Sequence, residues 1–404
     1  MTQAAGVFKQ VAYKAEVTYG TVPTAASAQA LRRVTSDLSL TKQTYQSAEI
    51  RTDQQVSDFR HGVRSVEGSI AGELSPKTYA DFIAAALRKD FVAGVSAASL
   101  SITIAGTAPT QTLTRGSGSW LSDGFKVGDV VRLTAGSFVA GNLNKNLLIT
   151  AIGSATELTV RGLNGAGLTN EGPIASATCA VTGKKTFAPA SSHTNKSFSI
   201  EHWFSDVTLS EVFSGCQPSQ IALQLPATGI ATVTIGMVGK DITAAGSQYF
   251  TAPTAQTTTG LLTGVNGVLL VGGTAVASVR SLTLTVDSAR SGDAVVGSNT
   301  IDTRFPGRIT CSGQITAYFE NATLRDAFLN ETATSIVVAL TVDNSANASF
   351  ITIALPRVKL GGSSKSDGES GIEQTIPFTA LYNTSGGTGI SSEATTISVQ
   401  DSDA

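Results

Sequence analysis

Three histidines, His61, His193 and His202, and three cysteines, Cys179, Cys216 and Cys311, are the side chains best suited to holding a metal or acting as nucleophile and base. Their spacing suits neither task. No CxxC pair occurs and no cysteine stands at a zinc-binding interval from a histidine, so neither a metal site nor a disulfide framework is signalled, and the thiols are expected to be buried. Asp241 and Glu211 could be put forward as acid and base, but a paired-carboxylate mechanism needs a geometry that nothing in the sequence suggests. Gly183-Lys184 and Gly239-Lys240 have Thr178 and Thr234 where a phosphate-binding loop needs its first glycine. Leu225-Pro226-Ala227-Thr228-Gly229 matches a sortase sorting signal without the apolar segment and basic tail that must follow one, so it reads as a strand ending at a proline turn. Asn195, Asn321 and Asn330 head Asn-x-Ser/Thr triplets of the kind that a Ser- and Thr-rich chain produces by composition. There is no Gly-x-Ser-x-Gly elbow. No enzyme and no cofactor are expected.

The charged residues are patterned differently. Glu49, Arg51, Asp53, Asp58, Arg60 and Arg64 alternate in sign along one polar stretch, and Asp287, Arg290, Asp293, Asp302, Arg304 and Arg308 do so along another. Arginine–carboxylate pairs of this kind fix register between subunits and reject wrong neighbours. A solvated loop would carry the same charges. Length favours contact, because structureless stretches this long in a compact domain are usually functional or disordered. The stretches also hold Tyr45, Ile50, Val56 and Phe59, and Val295, Val296, Ile301 and Phe305. They are candidate inter-subunit or inter-ring arms.

The elements that position these arms repeat. Leu38 and Leu40 alternate on a strand, the polar stretch 45–62 follows, then Gly68, Ile70 and Leu74, then a helix over about 77–88. Leu282 and Leu284, the stretch 287–307, Gly313, Ile315 and Phe319, and a helix over about 322–329 keep the same order. The offset is 244 for the first strand (Leu38 to Leu282) and 245 from Gly68 to Gly313 onwards. Ser75-Pro76 makes a helix start, with Tyr79, Phe82, Ile83, Ala86 and Leu87 on one face. A later strand, 229–235, resembles 371–377 at an offset of 142.

The fall in offset, from 245 to 142, requires about a hundred extra residues in the first copy, the mark of an inserted domain. Residues 93–186 supply them, with strand patterns at Leu100, Ile102 and Ile104, at Val127, Val130, Val131 and Leu133, at 147–152, and at Leu158 and Val160. The expected organisation is mainly β: a first unit from 1–92 and 187–255, an inserted small β-barrel or sandwich at 93–186, and a second unit at 256–404. Each unit is a β-sandwich with one flanking helix.

Composition agrees with a β-rich fold and narrows the partners. Charged residues make up 14% of the chain, and 28 Lys plus Arg stand against 30 Asp plus Glu, so no global field would hold nucleic acid by counterion release. No apolar run reaches the length of a membrane helix, and the first 20 residues lack the apolar core of a signal peptide, so assembly in a bacterial cytoplasm without membrane insertion is expected.

Several phrases resemble the tail tube (major tail) proteins of long-tailed, siphophage-type bacteriophages. These are 59–68 (Phe-Arg-His-Gly-Val-Arg-Ser-Val-Glu-Gly) with 72–76, 305–308 (Phe-Pro-Gly-Arg), 316–324 and 355–358, together with 119–125 in the insert. The resemblance implies a structural virion protein whose β-sandwiches join edge to edge into rings, the rings stacking into a tube that conducts the genome. It implies partners in other copies of the chain, a tape-measure protein during assembly, tail terminator and tail-tip proteins, and double-stranded DNA in non-specific passage. Two units per chain imply a trimeric ring of pseudo-six-fold shape, with a hexamer as the alternative. The insert is expected on the outer wall, because a lumen wide enough for a duplex has little room for about 90 extra residues per chain. A secreted or surface β-sandwich adhesin shares the composition and would require an export signal.

Overall fold

The computed structural model describes residues 3–320 and 323–404, and in it the chain is mainly β with short helices. Asn321 and Ala322, at the start of the second expected helix, lie outside the described residues; the helix is present as Thr323–Leu329.

One antiparallel sheet runs through most of the chain, in the order Ser39–Gln46, Phe59–Glu73, Thr232–Gly239, Leu209–Pro226, Val279–Asp287, Thr310–Tyr318, Glu373–Ala380 and Phe350–Leu360. Alternation along these strands decides which face is buried. Ile221, Leu223 and Leu225 point to the core with Ile70, Val233, Ile235, Leu282, Leu284, Ile315 and Ile376, all at 7% exposure or less.

Two long strands leave this sheet partway to build a second layer. The first half of Leu209–Pro226 pairs with Phe198–Phe204 and Asp241–Ala245, and Phe198–Phe204 pairs with Lys9–Ala15. The first half of Phe350–Leu360 pairs with Thr334–Thr341 and Ser398–Asp401, and Thr334–Thr341 pairs with Gly267–Val271. At the first switch Gly215 takes φ +67°, where any side chain would collide with Lys240 and Tyr19, so the bend needs glycine.

The first helix is Ala80–Leu87, shorter than the sequence suggests. Ser75-Pro76 does not start it: Lys77 sits at φ +69° and donates its N–H to Asp401 (2.7 Å), so residues 76–79 form a turn ahead of the helix. Only Asp81 escapes burial, and it accepts the Tyr13 hydroxyl at 2.9 Å. Phe82 meets Tyr13 and Phe198 with ring centroids 4.7 and 5.0 Å apart. Arg88 ends the helix in the left-handed conformation.

Residues 96–181 form a separate closed barrel of six strands, Ser96–Thr107, Thr110–Arg115, Val130–Ala135, Leu147–Ile152, Glu157–Gly162 and Glu171–Val181. Its core has Trp120 edge-on to Phe125 at 5.0 Å. Lys184–Phe187 already belongs to the large sheet, pairing with Ser398–Asp401. The barrel is fastened to the rest: Val130, Leu148 and Leu163 pack with Leu270, Val337, Ala339, Phe350 and Ala354. Gln400 brackets Val130, accepting its N–H and donating to its carbonyl at 2.8 and 2.9 Å. Lys185 lies between Asp129 of the barrel (2.5 Å) and Glu393 (3.1 Å), nearly out of reach of solvent.

Pairing corrects the repeat offsets. Leu40 pairs with Val66 and Val286 with Cys311; with Val66 matched to Cys311 at 245, the first strand matches at 246 rather than 244. Ile235 pairs with Ile70 and Ile376 with Ile315, so the later strand matches at 141 rather than 142. The two-residue change keeps the buried face, whereas an offset of 142 would set buried Ile235 against exposed Pro377.

Candidate assembly surface

The two polar stretches, alike in sequence, are placed differently. The first is a hairpin projecting from the sheet: Ser47 donates to the Asp58 carbonyl at 3.0 Å, and residues 47–58 close the tip. Its charges pair locally, Arg51 with Asp53 (2.8 Å) and more distantly Glu49 (3.9 Å), and Arg60 with Asp58 (2.8 Å). These are exposed pairs, screened by solvent, and they add little to the stability of the monomer. Ile50 is fully exposed and Val56 and Phe59 are largely so, with Phe59 edge-on to His61. Arg64, at the hairpin base, is held by Asp241 at 2.7 Å. Asp241 is thereby an ion-pair partner, and Glu211 lies opposite Ala244 at another point of that ladder.

The second stretch is pinned across the chain's own surface. Arg290 donates to the carbonyl of Pro218 (3.0 Å), to Asn195 (2.7 Å) and to Gln217 (3.0 Å); burial, then the neighbouring Arg88, lower its pKa to about 10, so it stays charged at neutral pH. Arg304 is buried and donates to the Gly239 carbonyl at 3.0 Å. Asp302 binds Lys240 at 2.9 Å, and hydrogen bonds from Lys240, Ser298 and Thr300 hold its carboxyl at about 2. The Arg64 N–H donates to the Asn299 carbonyl at 3.0 Å. Asp293, Phe305 and Arg308 remain exposed.

Sequence reasoning missed the feature that organises this surface, the direct pairing of Leu209–Pro226 with Val279–Asp287. Across it Ile221 faces Val286, Leu223 faces Leu284 and Leu225 faces Leu282, all buried. Apolar alternation on both strands was visible, but partner choice between strands far apart in sequence leaves no local signal. Beyond this seam the sheet has two edges, one at Ser39–Gln46 and the other at Ser364–Lys365; among the described residues each pairs on one side alone, with Phe59–Glu73 and Glu373–Ala380 respectively.

Of the residues with chemical potential, His202 is buried against Ser36 (2.8 Å), while His61 and His193 are exposed and well separated in the chain. Cys179, Cys216 and Cys311 are free and buried, and burial drives their thiol pKa values up, to about 12 at Cys179 and Cys311. Among the described residues no three His, Cys, Asp or Glu side chains are grouped to hold a metal ion.

The family model for phage tail tube proteins matches residues 9–380. This chain belongs to the phage tail tube protein family. As a tail tube protein it is a structural component of the virion tail and assembles with copies of itself into the tube. No curated protein matches the sequence. None of the helices among the described residues is long and apolar enough to cross a membrane.

Proposed function

We propose that this tail tube protein closes as a ring of three chains, each contributing two tube units: 1–92 with 187–255, and 256–404. The single observation that carries the reading is the seam within the chain. There, two strand sets of matching order and matching second layers are joined edge to edge, and two further edges are left at the ends of the sheet. An open edge is an aggregation hazard unless a partner covers it, and closing a ring removes every such edge. Rings then stack, the arm at 47–58 reaching a neighbouring subunit or ring through Ile50, Val56 and Phe59.

The protein acts as scaffold and conduit and performs no catalysis. A tape-measure protein templates tube length, terminator and tip proteins cap the ends, and double-stranded DNA passes the lumen without specific contacts, consistent with a formal net charge of −2. The barrel, residues 96–181, decorates the outer wall. Cryo-electron microscopy of tubes grown from the purified protein, averaged with three-fold symmetry, tests this reading. Three chains per ring with pseudo-six-fold density are expected; six identical chains per ring would overturn it.

A further inference from the structure

The seam inside the chain is a template for the seam between chains. The two strand sets correspond residue by residue, so the contact joining the first set to the second prescribes the contact joining the second set to the first set of a neighbour. Ala222 pairs with Thr234 and Ser364 pairs with Thr375, equivalent positions at the offset of 141, so Ala222 corresponds to Ser364. Val286 corresponds to Leu40, so Thr285 corresponds to Ser39. Within the chain Ala222 stands opposite Thr285.

We propose that in the assembled tube Ser364 of one chain stands opposite Ser39 of the next, in an antiparallel pairing that also sets Lys365 against Leu38 and Ser363 against Leu40. The occupant of each edge is a second copy of this chain, and the proposal rests on the ring reading above.

The parity of the backbone hydrogen bonds agrees with this register. At the two ends of the internal seam Ala227 donates to the Arg280 carbonyl and Ser288 to the Ser219 carbonyl, both at 2.8 Å, which makes Leu223 and Leu284 a hydrogen-bonded pair by alternation. Lys365 and Leu38 are their counterparts. Asp37 donates inward to the Ser69 carbonyl (3.1 Å) and Ser366 inward to the Glu373 carbonyl (2.8 Å), so the N–H and C=O of Leu38 and Lys365 point outward, as such a pair requires. A shift of one residue would set inward groups against outward ones.

Side chains separate the two seams in strength. The internal one buries Ile221, Leu223 and Leu225 against Leu282, Leu284 and Val286. The counterparts between chains are Ser363, Lys365 and Asp367 against Leu40, Leu38 and Ser36, and Leu38 is already buried within its own chain. The joint between chains therefore depends on backbone hydrogen bonds more than on new apolar burial. That suits a contact that must stay open in the monomer and form only during assembly.

Paired cysteines test the register. Ser39 and Ser364 are exposed and belong to a non-hydrogen-bonded pair, where side chains approach closely, and the native cysteines are buried. Tubes of S39C/S364C, oxidised and run on a non-reducing gel, should give a ladder ending at the closed ring, three chains if the ring reading holds. Tubes of S39C/S366C, slipped by two residues, should give at least tenfold less crosslink. Tubes with no crosslink in the first variant, or equal crosslinking in both, would overturn the register. A ladder ending at six would keep the register and overturn the trimer. If the variants fail to assemble, density for unmodified tubes decides: Ser39 opposite any neighbouring residue other than Ser364 overturns the proposal.

Discussion

Leu223 and Leu284 stand opposite each other in the middle of the large sheet, at 6% and 2% exposure, each on the strand that ends its own strand set at the seam. This pair closes the junction between the two sets within one chain. Leu284→Ala should cost about 2–5 kcal/mol, since truncation of a buried leucine leaves a cavity that its neighbours fill only in part. Leu40→Ala, at a half-buried position on the edge strand where the first set has its counterpart of Val286, should cost markedly less in the monomer. Urea unfolding midpoints of the two variants measure the difference; equal losses would contradict it.

Lys185 is enclosed between Asp129 and Glu393 where the barrel meets the sheet. Burial alone would lower its pKa, but the two carboxylates outweigh that and raise it, while burial raises Asp129. Lys185→Met should destabilise by about 3–5 kcal/mol, because it leaves buried carboxylate uncompensated. Adding Asp129→Asn should recover much of the loss. Calorimetric melting of the single and double variants checks this.

Two buried groups give opposite pH dependence. Burial, then the charges of Lys9 and Arg33, lower the His202 pKa to about 3. The unfolded chain gains this proton near pH 6.5 and the folded chain does not, so the stabilising effect is whole above that pH and is lost as the pH falls towards 3. Burial raises the Asp401 carboxyl to about 6, against N–H donation from Lys77 and Asp403. Its effect is whole below about pH 4 and is lost as the pH rises through 6. At pH 5 each differs from its neutral-pH effect by on the order of 1–2 kcal/mol, with opposite sign. Melting temperatures from pH 4.5 to 7.5 should therefore fall less on acidification in His202→Gln and more in Asp401→Asn.

The arm at 47–58 makes only exposed, local contacts. Replacing residues 48–57 by a short Gly-Ser turn should leave monomer stability within about 1 kcal/mol and should slow tube growth at least tenfold. Light scattering and negative-stain images report the growth. Undiminished growth would remove the arm from the assembly surface.

The two ends of the barrel segment lie close enough to be joined, the Gly94 N–H standing 3.4 Å from the Gly183 carbonyl. Joining Gly94 to Gly183 exposes Val337, Ala339, Phe350 and Ala354. Changing Val337 to Thr in the same variant should limit aggregation. Tubes of reduced outer diameter and unchanged lumen are expected; failure to form tubes would assign the barrel to an interface.

The sequence by itself determined the class, the order of elements and most of the buried faces. Alternation set Leu282 and Leu284 and Ile221, Leu223 and Leu225 inward, because a strand with one buried face has to alternate. The helical face from Tyr79 to Leu87 was legible for the same reason, and the resemblance at 59–68 and 305–308 named the family. Tertiary structure alone decided the rest, which depends on contacts between distant segments. The helix start moved from Ser75-Pro76 to Ala80 because Asp401, remote in sequence, takes the Lys77 N–H. Two arms of similar composition diverged because Arg290 and Arg304 of the second find carbonyls of their own chain, while the first extends past the end of the sheet. The repeat register required pairing partners, since an offset wrong by one or two residues keeps the same composition and only the facing strand distinguishes them.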